Sequence, residues 1–227
     1  MKLQKETQSG AHGRWYDDAC GTAFALELLG ERWSMLVVRE LMLGARRFSD
    51  IRASLPGISA KVLTERLAGL EASGVLIRRQ LPRPAAAQVY ELTAWGYRAE
   101  PIMQELGRWA ASSPLHDPTL PMSAVSMMLS LRTMFDPAKA QGLKVRIGFD
   151  IAGDAYLAQL DNGVLPIERG PIADADCRFT VDDAATLVAL FYGKVDPGAL
   201  EEAGALSITG DRAAALDFVD LFEIPKL

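Results

Sequence analysis

Apolar residues recur at helical spacing through the first half of this chain and at alternating spacing through much of the second. Phe24–Leu29 and Trp33–Leu43 carry helical patterns, broken by Gly30 and closed by Gly44. Ser49 and Asp50 stand in the first turn of a short helix that ends at Leu55-Pro56-Gly57. Ser59 then caps a longer helix, Ser59–Ser73, whose Leu63, Leu67 and Leu70 form a buried stripe. Gly74 supplies its left-handed stop. Val75–Gln80 and Gln88–Leu92 flank a Pro82-Arg83-Pro84 tip, which predicts a β-hairpin. Thr93 caps a last helix running to about Ala111, with a kink or bend expected at Pro101.

Three prolines, Pro114, Pro118 and Pro121, fall within SSPLHDPTLP, where the missing backbone donors forbid a continuous helix. This stretch divides the chain into a flexible arm at 1–14, a first domain at 15–112, a proline-rich linker at 113–121 and a second domain at 122–227. Beyond the linker an apolar helix, Ser123–Phe135, precedes LKVRIGFDI. There Val145, Ile147, Phe149 and Ile151 alternate with polar or small residues, as a half-buried strand requires. Asn162-Gly163 predicts a turn between Tyr156–Leu160 and Val164–Glu168. Asp176–Val181 alternates again, and Asp182 and Asp183 open a helix ending near Gly193. Asp196-Pro197 starts a short helix, followed by a strand at Leu206–Thr209 and a closing helix at Asp211–Phe222. The fold class is therefore a mainly α domain followed by an α+β domain with helices on one face of its sheet.

The segment Phe48–Arg79 has the order of a winged helix-turn-helix: short helix, turn, capped helix, then a hairpin rich in arginine. In the capped helix, Lys61, Thr64, Glu65 and Ala68 lie opposite the leucines. If that helix enters a major groove, Lys61 donates to guanine O6 and N7 and Glu65 accepts from cytosine N4. Ser59 and the amides behind it suit a phosphate. Arg46, Arg47, Arg78, Arg79 and Arg83 are expected on the DNA backbone.

Charge sharpens this picture. Residues 1–112 hold 15 Lys and Arg against 12 Asp and Glu, whereas 113–227 hold 9 against 17, so the net −5 hides a basic half and an acidic half. Within 44–83 there are 8 basic and 3 acidic residues. The partner expected is double-stranded DNA.

Cys20 and Cys177 lie 157 positions apart with no CxxC pair, which excludes a disulfide framework and suits a reducing cytoplasm. No apolar run approaches the roughly 18 residues of a membrane helix. The first residues, MKLQKETQSGAHG, lack a hydrophobic signal core. The chain shows no P-loop, GxGxxG, HExxH or GxSxG motif. Its two histidines, His12 and His116, fall in the arm and the linker. No catalytic residue, metal site or cofactor is expected.

The blocks LLGERW, RRFSDI, LPGIS, LTERL.LE..G and YELT..G, spread over about Cys20–Trp109, resemble the HxlR-type winged-helix transcriptional regulators. The resemblance implies a homodimer built through the first and last helices of the module and bound to a palindromic operator. Ile102, Met103, Leu106 and Trp109 become candidate interface contacts, with packing inside one subunit as the alternative. Repression by blocking a promoter is the simpler expectation. Cys20 stands where many relatives carry an N-terminal cysteine, some of which sense oxidants or electrophiles. Arg14 and a helix start would lower its pKa, whereas Asp17 and Asp18 would raise it. A buried, inert thiol is the competing expectation.

DCRFTVDDAATLVALFYGKVDP and GALSITGDRAAALDFVDLF, within about Met122–Phe222, resemble the sterol-carrier-protein fold. Such domains enclose an apolar tunnel. Met127, Met128, Leu131, Phe135, Phe149, Tyr156, Leu190 and Phe191 are the candidate pocket lining, against the alternative of a filled core. The function expected is a DNA-binding regulator answering to a hydrophobic small-molecule effector. The alternatives are a redox or electrophile sensor working through Cys20 and a hydrophobic-ligand-binding scaffold protein.

Overall fold

The computed structural model describes residues 16–83 and 86–224. The expected arm at 1–14 and part of the hairpin tip lie outside these residues. The first half contains α1 (Gly21–Leu29), α2 (Ser34–Leu41), α3 (Phe48–Ala53) and α4 (Ala60–Ala72), then the hairpin β1 (Leu76–Gln80) and β2 (Gln88–Leu92). The hairpin is antiparallel, with Leu76 opposite Leu92 and Arg78 opposite Tyr90. Arg46 adds a third, single-bridge strand, its N–H donating to the Tyr90 carbonyl at 2.9 Å and its carbonyl accepting from the Tyr90 N–H at 2.8 Å.

Local chemistry explains these boundaries. Between α3 and α4, Gly57 takes φ +91°, and the ring of Trp33 lies 3.8 Å from where its Cβ would stand. The LPGIS turn and the LLGERW block are thus two sides of one contact. After the hairpin, the Thr93 hydroxyl donates to the Gly74 carbonyl at 2.8 Å and accepts from the Gly96 N–H at 3.0 Å. A Cβ on Gly96 would sit 2.1 Å from the Val75 carbonyl oxygen, so the YELT..G block closes against the hairpin only with glycine there.

The helix expected from Thr93 to Ala111 is two helices. Thr93 caps α5 (Ala94–Tyr97), and a new helix, α6 (Glu100–Ala111), starts after Arg98 and Ala99. Pro101 sits in the first turn of α6. Its ring and missing N–H do not permit a continuous ladder, so the chain restarts rather than bends.

In the second half α7 (Ala124–Met134) leads into β3 (Lys144–Ile151), β4 (Asp154–Asp161), β5 (Ile167–Arg169) and β6 (Cys177–Val181). Helices α8 (Ala184–Phe191) and α9 (Pro197–Glu202), strand β7 (Leu206–Gly210) and helix α10 (Arg212–Val219) complete it. The sheet runs β5-β4-β3-β6-β7, with β3 and β6 parallel and the other neighbours antiparallel. Val145, Ile147, Phe149 and Ile151 face the core together, as their alternation requires. Phe149, Phe179, Phe191, Phe218 and Phe222 pack ring against ring, with neighbouring centroids 5.0–6.3 Å apart.

The two halves share one continuous apolar cluster, which runs from Val37 and Leu63 through α7 to the phenylalanines. A polar joint crosses it. Glu40 of α2 is fully buried, yet its carboxylate is surrounded by donors. Arg39 gives two bonds, at 3.1 and 2.9 Å, Arg46 one at 2.9 Å, and the Ser123 hydroxyl one at 2.7 Å. Arg132 of α7 pairs with Glu100 of α6 at 2.6 Å, and Arg108 donates to the Thr133 carbonyl at 2.8 Å. The proline-rich stretch therefore connects halves that are also fastened side by side.

Candidate nucleic-acid interface

Helix α4 is built to show one face. Its start is fixed by the Ser59 hydroxyl, which accepts from the Val62 N–H at 3.2 Å. Leu63, Leu67 and Leu70 are buried against the rest of the module, while Lys61, Thr64, Glu65 and Ala68 are all exposed on the opposite side. The Thr64 hydroxyl donates back to the Ala60 carbonyl at 2.9 Å, which leaves its oxygen and methyl to face outward. Arg66, between the two faces, donates to the Arg32 carbonyl at 3.1 Å and pairs with Glu31 at 3.0 Å, so it braces α4 against the turn before α2.

The five arginines expected on the DNA backbone do not share one role. Arg46 is buried and its guanidinium ion-pairs with Glu40. It is a structural cation beneath the hairpin and not a surface contact. The adjacent Arg47 is exposed at the start of α3, and Arg83 is exposed near the hairpin tip. Arg78 lies 3.8 Å from Glu71 at the end of α4, and Arg79 pairs with Glu91 across the hairpin at 2.7 Å. Both are about half exposed. Exposed pairs of this kind contribute about 0–1 kcal/mol, so a phosphate can displace the carboxylate.

Residues 28–116 match the model of the HxlR-like helix-turn-helix family. The chain is 42% identical over 86 residues to the HTH-type transcriptional regulator YvaP of Bacillus subtilis, covering 38% of this chain and 80% of that one. It is 40% identical over 86 residues to the regulator YodB of the same organism, covering 38% and 77%. The chain belongs to the HxlR-like helix-turn-helix family. A solved structure of reduced YodB is similar over 44% of this chain and 100% of that chain, with 35% identity and a TM-score of 0.40. Residues 118–227 match a different model, that of the alkyl sulfatase C-terminal domain.

Other expected sites lie elsewhere in this HxlR-like chain. Ile102, Leu106 and Trp109 of α6 are exposed, Trp109 at 76%, and Met103 is partly buried against the core. Phe24 and Leu26 of α1 are exposed as well. The eight residues named for a ligand chamber in the second half do not enclose one. Met127, Met128, Leu131, Phe149, Tyr156, Leu190 and Phe191 are buried at 0–1% exposure in mutual contact with the core, and only Phe135 of the set borders a described cavity.

Cys20 is exposed, which removes the premise of an inert buried thiol. The N–H groups of Ala23 and Thr22, in the first turn of α1, hold its pKa below the ordinary thiol value. The Asp18 carboxylate accepts from the Cys20 backbone N–H at 2.9 Å and does not govern the thiol. Cys177, by contrast, is buried and pushed up to about 11 by desolvation.

Glu40 is the important residue that pattern reading passed over. Its signal is present: it lies three residues after Val37 and one before Leu41, on the buried side of an apolar helix. An acidic residue in that position needs partners, and Arg46 is the one that the sequence disguises as a surface arginine.

Proposed function

We propose that this protein is a sequence-specific DNA-binding transcriptional regulator, a repressor acting as a homodimer on a palindromic operator. The observation that supports this most is the outward face of α4, where Lys61, Thr64, Glu65 and Ala68 stand exposed on a helix anchored at both its cap and its leucine stripe. Arg47, Arg78, Arg79 and Arg83 supply the phosphate contacts beside it. The exposed apolar residues of α1 and α6 are the dimer surface, and a Trp109→Glu chain is expected to sediment as a monomer. We read the second half as a sterol-carrier-like domain and assign it to effector control rather than to catalysis, and the whole to the cytoplasm.

The test is binding to a duplex pool at several salt concentrations. The intact protein is expected to enrich one inverted repeat. Replacing Arg78 and Arg79 by Ala should lower the slope of log K against log salt by about 3.6 for the dimer, two phosphates in each protomer at about 0.9 each. An unchanged slope would remove the wing from the interface, and absence of salt-dependent binding to any duplex would end the proposal.

A second reading, redox or electrophile sensing, is favoured by the exposed Cys20 thiol at the start of α1, whose pKa is lowered there. A lowered pKa raises the thiolate fraction near pH 7. Iodoacetamide is therefore expected to modify Cys20 in the native protein with a pH midpoint below that of a free thiol, and Cys177 only after unfolding. Equal reactivity of the two would sink this reading.

A further inference from the structure

We propose that the joint between the two halves is a binding site for a neutral, mostly aromatic small molecule, and that its occupancy is passed to the DNA-reading helix through α2. This rests on the regulator reading above for its DNA consequence, but not for the site itself. The observation is a half-open cavity of about 390 Å³ bounded by α2, α6, α7 and α8, outside the packed core of the second half. That volume falls in the range of pockets that hold drug-sized ligands.

The lining selects the chemistry. Four thioethers, Met35, Met103, Met122 and Met134, border the cavity from α2, α6, α7 and the stretch before α7. Methionine side chains adapt their shape and make favourable contacts with aromatic rings. At one wall the hydroxyls of Ser130 and Tyr192 lie 2.8 Å apart. Two hydroxyls joined by one hydrogen bond keep one O–H and spare lone pairs. Burial pushes the Tyr192 phenol well above its ordinary pKa, so the phenol stays neutral. This pair suits a single carbonyl, hydroxyl or amine on the ligand.

The charged residues on the lining argue for a neutral occupant. Of the ionisable residues on the lining, which also include His116, Arg39 is paired with Glu40 and Glu100 with Arg132. An ionised ligand would find the Arg39 and Glu100 charges already paired and would gain no counter-charge from them for the water it gives up.

The route to DNA is short. Met35, Leu36 and Arg39 border the cavity on one side of α2, while Val37, Val38 and Leu41 on its other side are buried in the core against which α4 packs. Arg39 also holds the carboxylate that anchors Arg46 under the hairpin. A ligand that shifts α2 therefore moves the supports of both α4 and the wing. It acts as an effector to the extent that it binds the two arrangements differently.

The experiment uses N-phenyl-1-naphthylamine, a neutral fluorophore with one N–H, and its charged relative 8-anilinonaphthalene-1-sulfonate. The full chain is expected to give saturable fluorescence enhancement with the neutral dye, one site per chain, and at least ten-fold weaker binding of the sulfonate. Ala110→Trp, which fills the cavity from an exposed position on α6, should weaken the neutral dye at least ten-fold, and Ser130→Ala about three-fold or more. Met128→Leu, in the packed core, should leave it unchanged. No saturable binding, equal affinity for the sulfonate, or indifference to both cavity variants would overturn the site. Should Ala110→Trp fail to fold, Ser130→Ala decides. In a second arm, saturating neutral dye is expected to change affinity for the selected duplex at least three-fold. An unchanged affinity would overturn the coupling, while failure to bind any duplex would refute the regulator reading and leave the dye titration to decide the site.

Discussion

Replacing Lys61 and Glu65 together by alanine is expected to erase operator discrimination while leaving the fold and general DNA affinity nearly intact. Both side chains are exposed and lie on the face of α4 away from Leu63, Leu67 and Leu70, so their loss removes no core contact. The substitution removes one positive and one negative charge, and the net charge of the reading face is preserved. The long-range attraction to phosphate, which sets non-specific binding and its salt dependence, should therefore change little. What disappears is hydrogen bonding to base edges, about 1–3 kcal/mol of discrimination for each well-placed contact. Two contacts in each protomer at the lower figure amount to about 4 kcal/mol for the dimer, roughly a 1,000-fold loss of preference for the operator over random duplex. Footprinting with wild type and variant on the selected repeat checks this. A protected site of unchanged extent and affinity would show that α4 does not read the groove. Single substitutions are also informative, because losing Lys61 should relax a guanine position and losing Glu65 a cytosine position.

The sequence made the elements legible wherever local chemistry decides them. Ser59 and Thr93 cap their helices as the pattern picked out, and the helices read as starting at Ser123, Asp183, Asp196 and Asp211 are capped by those side chains. The alternation in LKVRIGFDI placed its strand and its buried face. The exposed face of α4 followed from 100° stepping alone. Legibility ended where a residue's role depends on what packs against it. Arg46 and Arg47 are neighbours of one type, and only the Tyr90 bridge and the carboxylate of Glu40 turn the first inward. Phe149 has the composition of a pocket wall and the environment of a core, because the space beside it is filled by rings distant in sequence, such as Phe179 and Phe218. The cavity at the joint draws its walls from α2, α6, α7 and α8, and no local window contains more than a fraction of it. Pro101 was read as a kink, and the outcome, two helices with a break before it, turns on the Arg98–Ala99 geometry.

Glu40→Ala is expected to produce the largest loss of stability of any single substitution considered, about 3–5 kcal/mol. The wild-type carboxylate has no solvent exposure and accepts from Arg39, Arg46 and Ser123. Alanine would leave the Arg46 guanidinium buried at 9% exposure without its counter-charge, and it is that stranded cation that makes the substitution severe. For a chain of this size each kcal/mol moves the melting temperature by about 2–4 °C, so a fall of roughly 6–20 °C should be read by calorimetry. Ser123→Ala, which removes one neutral donor and leaves the ion pairs, should cost much less, about 1 kcal/mol. The paired substitution Glu40→Met with Arg46→Met separates the worth of the pair from the penalty of breaking it. Removing both charges should restore most of the stability, since buried pairs exchanged for apolar residues of similar volume are often neutral. If Glu40→Ala melted within a degree of wild type, water would have to reach the joint and the network would not be buried in solution. If instead the apolar pair restored stability while operator binding stayed weak, the ionic joint would be holding the wing in register with α4 and not merely holding the fold together. That outcome would place Glu40, the residue shared by α2, the hairpin and the first turn of the second half, on the path between the cavity and the DNA.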